Sequence, residues 1–327
     1  MYAKIKYMLC IFLTVLLFCS CRTTNSNNLN NVDFILDWIP NTNHTGIYVA
    51  DKMGYFEEEG IKISIKQPPE DGAAAIVASG KAQFGIDFQD SLALAFSQDE
   101  PMPITAVAAV LQHNTSGIIS LKNKNITRPS ELENKRYSLW NGPIESPILK
   151  YVVEKDNGDF NKVKLVPNTV FDVVSGLSSD IDVMWIYYNW DGIAAEVKGI
   201  ETNFFYFKDV DPVLDYYTPV IIANSDYIRE NSDIAKGFLR AVSKGYEYCI
   251  DNPYEAAEIL LQEVPELDRD ITIKSQEWVG KQYKFDSPKW GYIDSERWNR
   301  FYKWLYYNSL ITSEIGDDFG FTNSYLP

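Results

Sequence analysis

The sequence predicts an α/β protein made of two α/β units, the second inserted into the first, followed by a helical C-terminal part. Apolar strand-like runs alternate with helical patterns from Phe34 onward, which predicts mostly parallel sheets covered by helices. This alternation starts again near Arg136, and the chain is almost entirely helical after the segment 219–228. At 327 residues the chain is long enough for two such units.

The first unit opens with a strand, a polar turn, a helix and a second strand. Pro40 ends the apolar run that begins at Phe34, and a helical pattern follows as far as Gly54. Alternating isoleucines from Ile61 predict the second strand. The remaining elements expected here are a helix over 71–80, a strand over 83–87, a helix over 91–96, and strands over 103–110 and 117–121.

The second unit repeats this alternation, and the chain then returns to the first. Its expected strands are 136–140, 163–166, 181–185 and 204–207, and its expected helices are 143–154, 170–177 and 190–197. A strand from Pro219 leads back, and helices follow from Ser232 through Ile250 and from Asn252–Pro253. We expect the two connections near 116–120 and 216–219, giving one lobe of residues 32–118 and 219–327 and a second of residues 119–218.

The N-terminus has a composition of its own. Lys4 and Lys6 precede a short apolar run, and Ser20 stands directly before Cys21. This is similar to a bacterial lipoprotein signal, with residues 1–20 removed and Cys21 carrying the lipid; a plain cleaved signal peptide is the alternative. Residues 21–31 are polar and predict a flexible tether. Beyond them Cys249 stands alone, so no internal disulfide is expected.

The charge of the chain limits its partners. The formal net charge is -15, and residues 1–20 contribute only basic side chains to it. Nucleic acid is therefore not an expected partner, because it is bound by clustered basic residues. A lipid anchor would nevertheless hold such a protein at a membrane. His44 and His113 are the two histidines, so a zinc site is not expected either.

One stretch resembles a known family. The residues Leu-Asp-Trp-x-Pro-Asn-x-x-His-x-Gly-x-Tyr-x-Ala at 36–50, with Gly-Tyr-Phe at 54–56 and Gly-Ile at 60–61, are similar to the solute-binding proteins for thiamine-precursor pyrimidines. Residues 237–248 carry a further segment similar to these importers. The resemblance implies a type II periplasmic-binding-protein fold, with the ligand between two lobes. It also implies an ABC permease with its ATPase as partners and a place outside the cytoplasm.

Four polar and aromatic patches follow strands or begin helices, where open α/β sheets bind ligands. Two further family patterns fall in them: LWNGPIE at 139–145, and a Tyr-Trp-x-Trp-Glu segment in which Asp191 replaces glutamate. The predicted ligand-binding residues are Asp37, Trp38, Asn41, His44, Phe88, Gln89, Trp140, Glu145, Tyr187, Tyr188, Trp190 and Asp191. The patches also contain Asp87, Asp90, Ser91, Asn141, Gly142, Trp185 and Asn189.

Several of these residues have a structural alternative. Trp38 at a strand end is also suited to capping the core, and His44 to bonding the turn. Of Phe88 and Gln89, one must face the core, because side chains alternate along an extended chain. Glu145 in a first helical turn is also suited to capping that helix. The tryptophans after Trp190 recur in helices and are expected in the core.

The chemistry of the patches favours a flat heteroaromatic ligand with amino groups. Aromatic rings would stack on such a ligand, and carboxylates would accept hydrogen bonds from its amine and its protonated ring nitrogen. The patches hold no lysine or arginine, whereas a sulfonate would require a basic group or exposed backbone N–H groups. An aminopyrimidine is therefore expected, with riboflavin or a sulfonate as the alternatives within the superfamily.

Two other classes of function are compatible with parts of the sequence. The yeast pyrimidine-phosphate synthase shares the fold, and its family carries a lysine for pyridoxal phosphate, a nearby histidine and a cysteine-rich iron motif. Here Asp87 and Ser91 stand at the matching positions, and no cysteine cluster follows residue 21. We therefore expect a binding protein without cofactor or metal, acting as a monomer. A protein-binding adhesin or sensor is the third class, and a large exposed aromatic patch on the C-terminal helices would indicate it.

Overall fold

Two five-stranded sheets form the frame of the molecule. The computed structural model describes residues 29–69, 72–140, 142, 144–167 and 172–327. The predicted signal segment 1–20, Cys21 and most of the predicted tether lie outside these residues. The strands are β1 (Asn30–Ile35), β2 (Ile61–Lys66), β3 (Phe84–Asp87), β4 (Ile104–Ala109), β5 (Ser116–Leu121), β6 (Arg136–Leu139), β7 (Lys164–Pro167), β8 (Val183–Tyr187), β9 (Thr202–Tyr206) and β10 (Val220–Asn224).

Both sheets have the same topology. The first has the order β2-β1-β3-β10-β4 and the second β7-β6-β8-β5-β9. In each, the first three strands are parallel, and the strand that connects to the other sheet pairs antiparallel on both sides. In each sheet four of the five strands therefore point the same way, as the expectation of mostly parallel sheets has it, and one strand runs against them. Strands β5 and β10 each enter their sheet from the other unit. They are not joined to a neighbour by a right-handed βαβ crossover, which would make the two strands parallel.

The helices lie between and around these strands. They are α1 (Thr45–Lys52), α2 (Tyr55–Glu58), α3 (Ala73–Ala78), α4 (Gln89–Phe96), α5 (Glu145–Lys155), α6 (Val173–Leu177), α7 (Ile193–Val197), α8 (Phe207–Val210), α9 (Ser225–Glu230), α10 (Ser232–Asp251), α11 (Pro253–Glu263), α12 (Arg269–Val279) and α13 (Ser295–Tyr307). Beyond β10 the helices predicted there are present, but residues 280–294 and 308–327 form turns and irregular structure, so this part is less helical than expected. None of the helices in the described ranges is long and apolar enough to cross a membrane.

We call the first sheet with its helices lobe 1 and the second sheet with its helices lobe 2. Strand β5 begins at Ser116 and belongs entirely to the second sheet, so the first connection spans 110–115 and the predicted boundary at 118/119 cuts through a strand. Strand β1 begins at Asn30, which pairs with Ile61, so the predicted tether runs two residues too far. The starts of β1 and β5 are polar in sequence. They belong to the strands because their backbones pair with neighbouring strands, which the side chains do not indicate.

The sheet of lobe 1 is covered on both faces. Val32, Phe34 and Leu36 pack with α1 and α10 on one face, where Phe84 stacks on Phe238 with ring centroids 3.9 Å apart. Ile35 turns to the other face, in a second cluster that continues into lobe 2. A smaller cluster behind the second sheet receives Ile271 from α12, a helix that contacts both lobes. Hydrophobic packing therefore fixes the position of both sheets, whose edges face each other across a cleft.

Candidate functional site

A cavity of about 360 Å³ lies in the cleft between the two sheets. Lobe 1 contributes the turn after β1 and the start of α4, and lobe 2 contributes residues after β6, along β8 and at the start of α6. This is the arrangement expected of a ligand site at the carboxyl ends of strands. The lining residues are Asp37, Trp38, Ile39, Asn41, Asn43, Phe88, Asp90, Ser91, Trp140, Gly142, Ile144, Glu145, Asp172, Val173, Met184, Trp185, Ile186, Tyr187, Asn189, Trp190 and Asp191.

Aromatic side chains from both lobes face this cavity. Trp38 and Trp140 remain 42% and 38% exposed although they are large and apolar. Phe88 of lobe 1 stacks on Tyr187 of lobe 2, with ring centroids 6.0 Å apart and planes 15° from parallel. Trp190 is partly buried at the same wall. Such rings provide flat faces on which a planar ligand can stack.

Carboxylates supply most of the charge in the cavity. Asp37, Asp90, Asp172, Asp191 and Glu145 all line it, and the described lining includes no lysine, arginine or histidine. The cavity is therefore acidic, and it suits amino groups or cations better than anions.

Burial changes the protonation of two of these groups. Burial raises the pKa of Asp191 to about 7, with a smaller contribution from Asp172, while a hydrogen bond from the Tyr187 backbone N–H opposes the shift. Burial and the neighbouring Asp87 carboxylate likewise raise the pKa of Asp90 to about 7. Burial thus outweighs the backbone N–H donors of both carboxyl groups, which are Tyr187 for Asp191 and Asp90 itself and Ser91 for Asp90. Carboxyl groups with raised pKa values in a cleft are typical of functional sites.

Nine of the twelve residues predicted to bind a ligand line the cavity: Asp37, Trp38, Asn41, Phe88, Trp140, Glu145, Tyr187, Trp190 and Asp191. These nine side chains lie at the cavity, and their contact with a ligand stays a prediction. The other three lie elsewhere.

His44 is outside the lining and fully buried. Its Nε2 lies 2.5 Å from Asp37 Oδ1, and its Nδ1 accepts a hydrogen bond from the Asn41 backbone N–H at 3.0 Å. The Asn41 side chain accepts in turn from the Asn43 N–H. Of its two expected roles, His44 therefore has the structural one: it fixes the turn after β1 and holds the Asp37 carboxylate in place.

Gln89 also lies outside the lining, because it takes the core side of the alternation with Phe88. It is fully buried, donates to the Trp298 carbonyl at 3.0 Å and accepts from the Tyr217 N–H at 2.8 Å. Gln89 ties the start of α4 to the returning chain before β10. Phe88 and Asp90, on either side of it, line the cavity.

Tyr188 points away from the cavity, because a π-helical turn at Tyr188–Gly192 follows β8 directly. Its ring packs 5.0 Å from Phe204 and 5.4 Å from Trp278, and its hydroxyl donates to Glu196. The turn places Trp190 and Asp191 at the cavity instead.

Glu145 reaches the cavity, but its oxygens already accept several hydrogen bonds. The donors are the Tyr137 hydroxyl at 2.7 Å, the Trp140 N–H at 3.0 Å and the Gly142 N–H at 3.2 Å. These bonds close the loop between β6 and α5. Glu145 therefore positions Trp140, and its acceptors are not free for a ligand.

Sequence reasoning missed part of the lining: Ile39, Asn43, Ile144, Asp172, Val173, Met184 and Ile186. Asp172 and Val173 stand where a helix begins after β7, the same position that Trp140 and Glu145 occupy after β6. That signal was available in the sequence. Met184 and Ile186 lie within the apolar strand β8, where nothing in the sequence distinguishes a cavity residue from a core residue. No group of three or more metal-ligating side chains occurs among the residues that the structure describes.

Comparison with known proteins gives related sequences along most of the chain. Residues 41–256 match the NMT1/THI5-like family. The formylaminopyrimidine-binding protein of Halalkalibacterium halodurans is 30% identical over 309 residues, which cover 90% of this chain and 91% of that protein. A 4-amino-5-hydroxymethyl-2-methylpyrimidine phosphate synthase of Legionella pneumophila is 24% identical over 308 residues, covering 91% and 93%.

Solved structures share the fold at low sequence identity. The periplasmic aliphatic sulphonate-binding protein SsuA of Escherichia coli has a TM-score of 0.68 at 13% identity, covering 88% of this chain and 90% of that one. The alkanesulfonate-binding protein SsuA of Xanthomonas axonopodis pv. citri has a TM-score of 0.66 at 10% identity, covering 89% and 98%. The predicted periplasmic-binding-protein fold is thereby confirmed, and the chain belongs to the NMT1/THI5-like family.

Proposed function

We propose that this protein is the substrate-binding component of an ABC importer and that it binds a thiamine-precursor aminopyrimidine between its two lobes. The formylated aminopyrimidine and the hydroxymethylpyrimidine are the ligands we favour. The observation that carries the proposal is the composition of the cavity, which combines aromatic faces with carboxylates and has no basic side chain in its described lining.

The groups of an aminopyrimidine match those of the cavity. An aminopyrimidine ring would lie between aromatic side chains such as Trp190 and Trp140, and its amine and protonated ring nitrogen would donate to Asp191. Donation to the charged carboxylate would return the pKa of Asp191 toward its ordinary range. A sulfonate would meet like charge in the same cavity, which disfavours it although the superposable structures bind sulfonates. The named function of the 30% identical relative supports the pyrimidine.

Closure of the lobes would link binding to transport. Residues of both lobes line the cavity, so a ligand held by both stabilises the closed arrangement. The closed surface would then be the one that a permease recognises. We further propose that Cys21 carries a lipid that holds a monomer at the outer side of the membrane; the N-terminal sequence supports this.

We propose a binding protein and not an enzyme, although several relatives at 24% identity are pyrimidine phosphate synthases. Asp87 and Ser91 stand at the positions where the synthase resemblance requires a lysine and a histidine, and the Ser91 hydroxyl donates a hydrogen bond to Asp87. Asp87 also accepts from the Phe88 N–H at 2.7 Å, which fixes the start of α4. Cys249 is buried in the core and far in sequence from any other cysteine. These residues support a structural role for that end of β3.

Calorimetry with the purified protein tests the proposal. The ligands are formylaminopyrimidine, hydroxymethylpyrimidine, thiamine, riboflavin and an alkanesulfonate, and each is also tested by thermal shift. A ligand at a hundredfold its Kd stabilises the fold by about 2.7 kcal/mol, which a thermal shift detects.

The variants Trp190→Ala and Asp191→Ala should abolish a pyrimidine signal, whereas Tyr307→Ala should not, because that ring is 75% exposed outside the cavity. Tight binding of a sulfonate without pyrimidine binding would keep the transport function and reject the ligand class. Lack of binding to any of these compounds would reject the small-molecule function.

A further inference from the structure

His113 lies in the first connection between the sheets, at the point where the chain passes from lobe 1 to lobe 2. Gln112, directly before it, is fixed to lobe 1: its side-chain amide donates to the Tyr292 carbonyl at 3.2 Å, on the segment that pairs with β4. Thr115 is fixed to lobe 2, because its carbonyl accepts from the Tyr188 N–H at 3.0 Å. The first connection can therefore bend at His113 and directly after it.

The second connection has its own bending point, at Asp215. Before it, Asp211 accepts a hydrogen bond from the Tyr151 hydroxyl of α5 at 2.6 Å, which fixes the chain to lobe 2. After it, the Tyr217 N–H donates to the Gln89 side chain of α4 at 2.8 Å, which fixes the chain to lobe 1. Asp215 lies between these two attachments.

The imidazole of His113 joins both connections to the C-terminal part of the chain. Its Nδ1 lies 2.7 Å from Asp215 Oδ2, and the Asn114 N–H donates to the other oxygen of Asp215 at 3.0 Å. Its Nε2 lies 3.2 Å from Asp286 Oδ1, in the turns that follow α12. The Phe285 ring packs edge-on against the imidazole, with ring centroids 4.9 Å apart.

Carboxylates on both sides of the ring require two protons on it. A charged carboxylate only accepts hydrogen bonds, and a neutral imidazole has a single N–H, so only the protonated ring of His113 donates to Asp215 and Asp286 at once. When one proton is lost, we expect the bond to Asp215 to remain. The Asp215 side chain is 16% exposed, whereas that of Asp286 is 59% exposed and can turn to water.

Further charged groups beside this site are Arg297 and Asp294, at the start of α13. The Asp294 carboxylate accepts from the Arg297 N–H at 2.8 Å. Burial alone would raise the pKa of Asp215, but the hydrogen bond and charge of His113, the charge of Arg297 and a backbone N–H together hold that pKa below its usual range. Asp215 therefore stays charged near neutral pH, where imidazole groups gain and lose a proton.

We propose that His113 is a pH-dependent lock of the hinge. With its ring protonated it holds the two connections and the turn at 284–287 together, and loss of one proton releases that turn and allows the lobes to separate more easily. The opening of the cleft then depends on the pH of the medium around the protein. This inference goes beyond the proposed function, because it requires no particular ligand.

Hydrogen exchange of the purified protein without ligand tests the lock. The reporter is the Ser287 N–H, which donates to the Lys284 carbonyl at 2.8 Å and closes the turn that contains Asp286. The variant His113→Gln keeps a donor for Asp215 but carries no charge at any pH. At pH 5.5 we expect Ser287 to exchange about twofold to fivefold more slowly in the wild-type protein than in this variant, the effect of one partly exposed ion pair. At pH 8 the two rates should be equal.

X-ray scattering of the same proteins tests the effect on the lobes. At pH 5.5 the radius of gyration should be larger for His113→Gln than for the wild-type protein, and at pH 8 the two radii should agree. Asp90 and Asp191 in the cavity also change charge over this range, and they do so equally in both proteins. Comparing the two proteins at one pH therefore isolates the contribution of His113.

A second variant protects the test against a folding defect of the first. Asp286→Asn changes an exposed side chain and should also expand the protein at pH 5.5 relative to wild type. Asp180→Asn is the matched control, because its side chain is 89% exposed in an ion pair with Arg136, and it should follow the wild-type protein at both pH values.

Equal exchange rates and equal radii of the wild-type protein and His113→Gln at pH 5.5 would reject the lock. A difference of the same size at both pH values would reject it too, because the role of His113 would then not depend on its proton. Slower exchange without a change in radius would confine the effect to the turn and reject the control of the hinge. None of these outcomes concerns the ligand of the cavity, which calorimetry tests separately.

Discussion

The side-chain amide of Asn189 donates a hydrogen bond to Asn43 Oδ1 over 2.9 Å and joins the lobes across the cleft. Asn189 Oδ1 also accepts from the Thr115 hydroxyl at 2.7 Å, in the connection between the sheets. Its backbone carbonyl accepts from Ser275 on α12. From the turn after β8, this one buried residue thus bonds to the turn after β1, to the connection between the sheets and to helix α12. The lobes are in contact at this point.

We expect Asn43→Ala to weaken the closed arrangement. Loss of one buried hydrogen bond of about 1 kcal/mol corresponds to roughly fivefold weaker ligand binding. The loss should appear mainly as faster ligand dissociation, followed by tryptophan fluorescence in stopped flow. Because Asn43 also lines the cavity, the radius of gyration without ligand should be measured by X-ray scattering, and it should increase.

A matched control is Asn161→Ala, an exposed residue of lobe 2 that bonds only within its own turn. It should leave the dissociation rate and the radius of gyration unchanged. If Asn43→Ala changes the affinity without expanding the unliganded protein, the bond to Asn189 does not control closure.

Glu145→Ala should weaken ligand binding without removing a ligand contact. The carboxylate holds the Trp140 and Gly142 N–H groups and the Tyr137 hydroxyl, so its loss frees the loop that carries Trp140. Leaving the buried Tyr137 hydroxyl without its acceptor should cost about 1–3 kcal/mol of stability. Urea unfolding and calorimetry measure the two effects. Glu145→Gln, which retains one acceptor, should lie between; equal affinity in all three proteins would contradict the positioning role.

Gly245→Ala should destabilise the protein, although alanine is the better helix former by about 1 kcal/mol. A Cβ at Gly245 would lie 2.0 Å from the Gly46 carbonyl oxygen, so α10 and α1 would have to separate. We expect a loss of about 1–3 kcal/mol in thermal or urea unfolding, as for other overpacked cores. Gly316→Ala is the control, because nothing lies near its added methyl group. Equal stability of the two variants would show that the helix pair tolerates the methyl group.

The sequence contains enough to predict the two units and most of the cavity, for a physical reason. Strand ends, turns and helix starts are marked locally, by Pro40, Gly54 and the changes of hydrophobic period. The parallel-strand rule then brings such ends together. Residues next to these marks, such as Trp38 and Asp191, could therefore be placed.

What could not be predicted depends on contacts distant in sequence or on exact register. Gln89 is held inward by hydrogen bonds to Tyr217 and Trp298, which are distant along the chain. The sequence left two roles open for His44, and its bond to Asp37 decides between them. The π-helical turn shifts Tyr188 to the far side of lobe 2, since it interrupts both the strand and the helix periods. Strand β10 is antiparallel to its neighbours because the chain enters the first sheet from the second one there.

The pH dependence of stability provides a separate test of the buried Asp191. In the unfolded chain its pKa is near 3.9, whereas burial raises the folded pKa to about 7. Between these values the folded protein binds more protons than the unfolded chain, so this group lowers the free energy of unfolding as the pH rises. The loss is complete above the folded pKa and absent below the unfolded one.

Asp191→Asn removes this titration. Without ligand, the variant should gain stability relative to the wild-type protein between pH 5 and pH 8, on the order of 1.4 kcal/mol for each unit of pKa shift crossed. Urea unfolding at the two pH values measures the change, and Asp87 and Asp90 contribute equally to both proteins. The exposed Asp180→Asn variant should show a constant difference from wild type. A constant difference for Asp191→Asn as well would mean that this carboxylate is solvated in the unliganded protein, because only a buried charge carries the penalty that the amide removes.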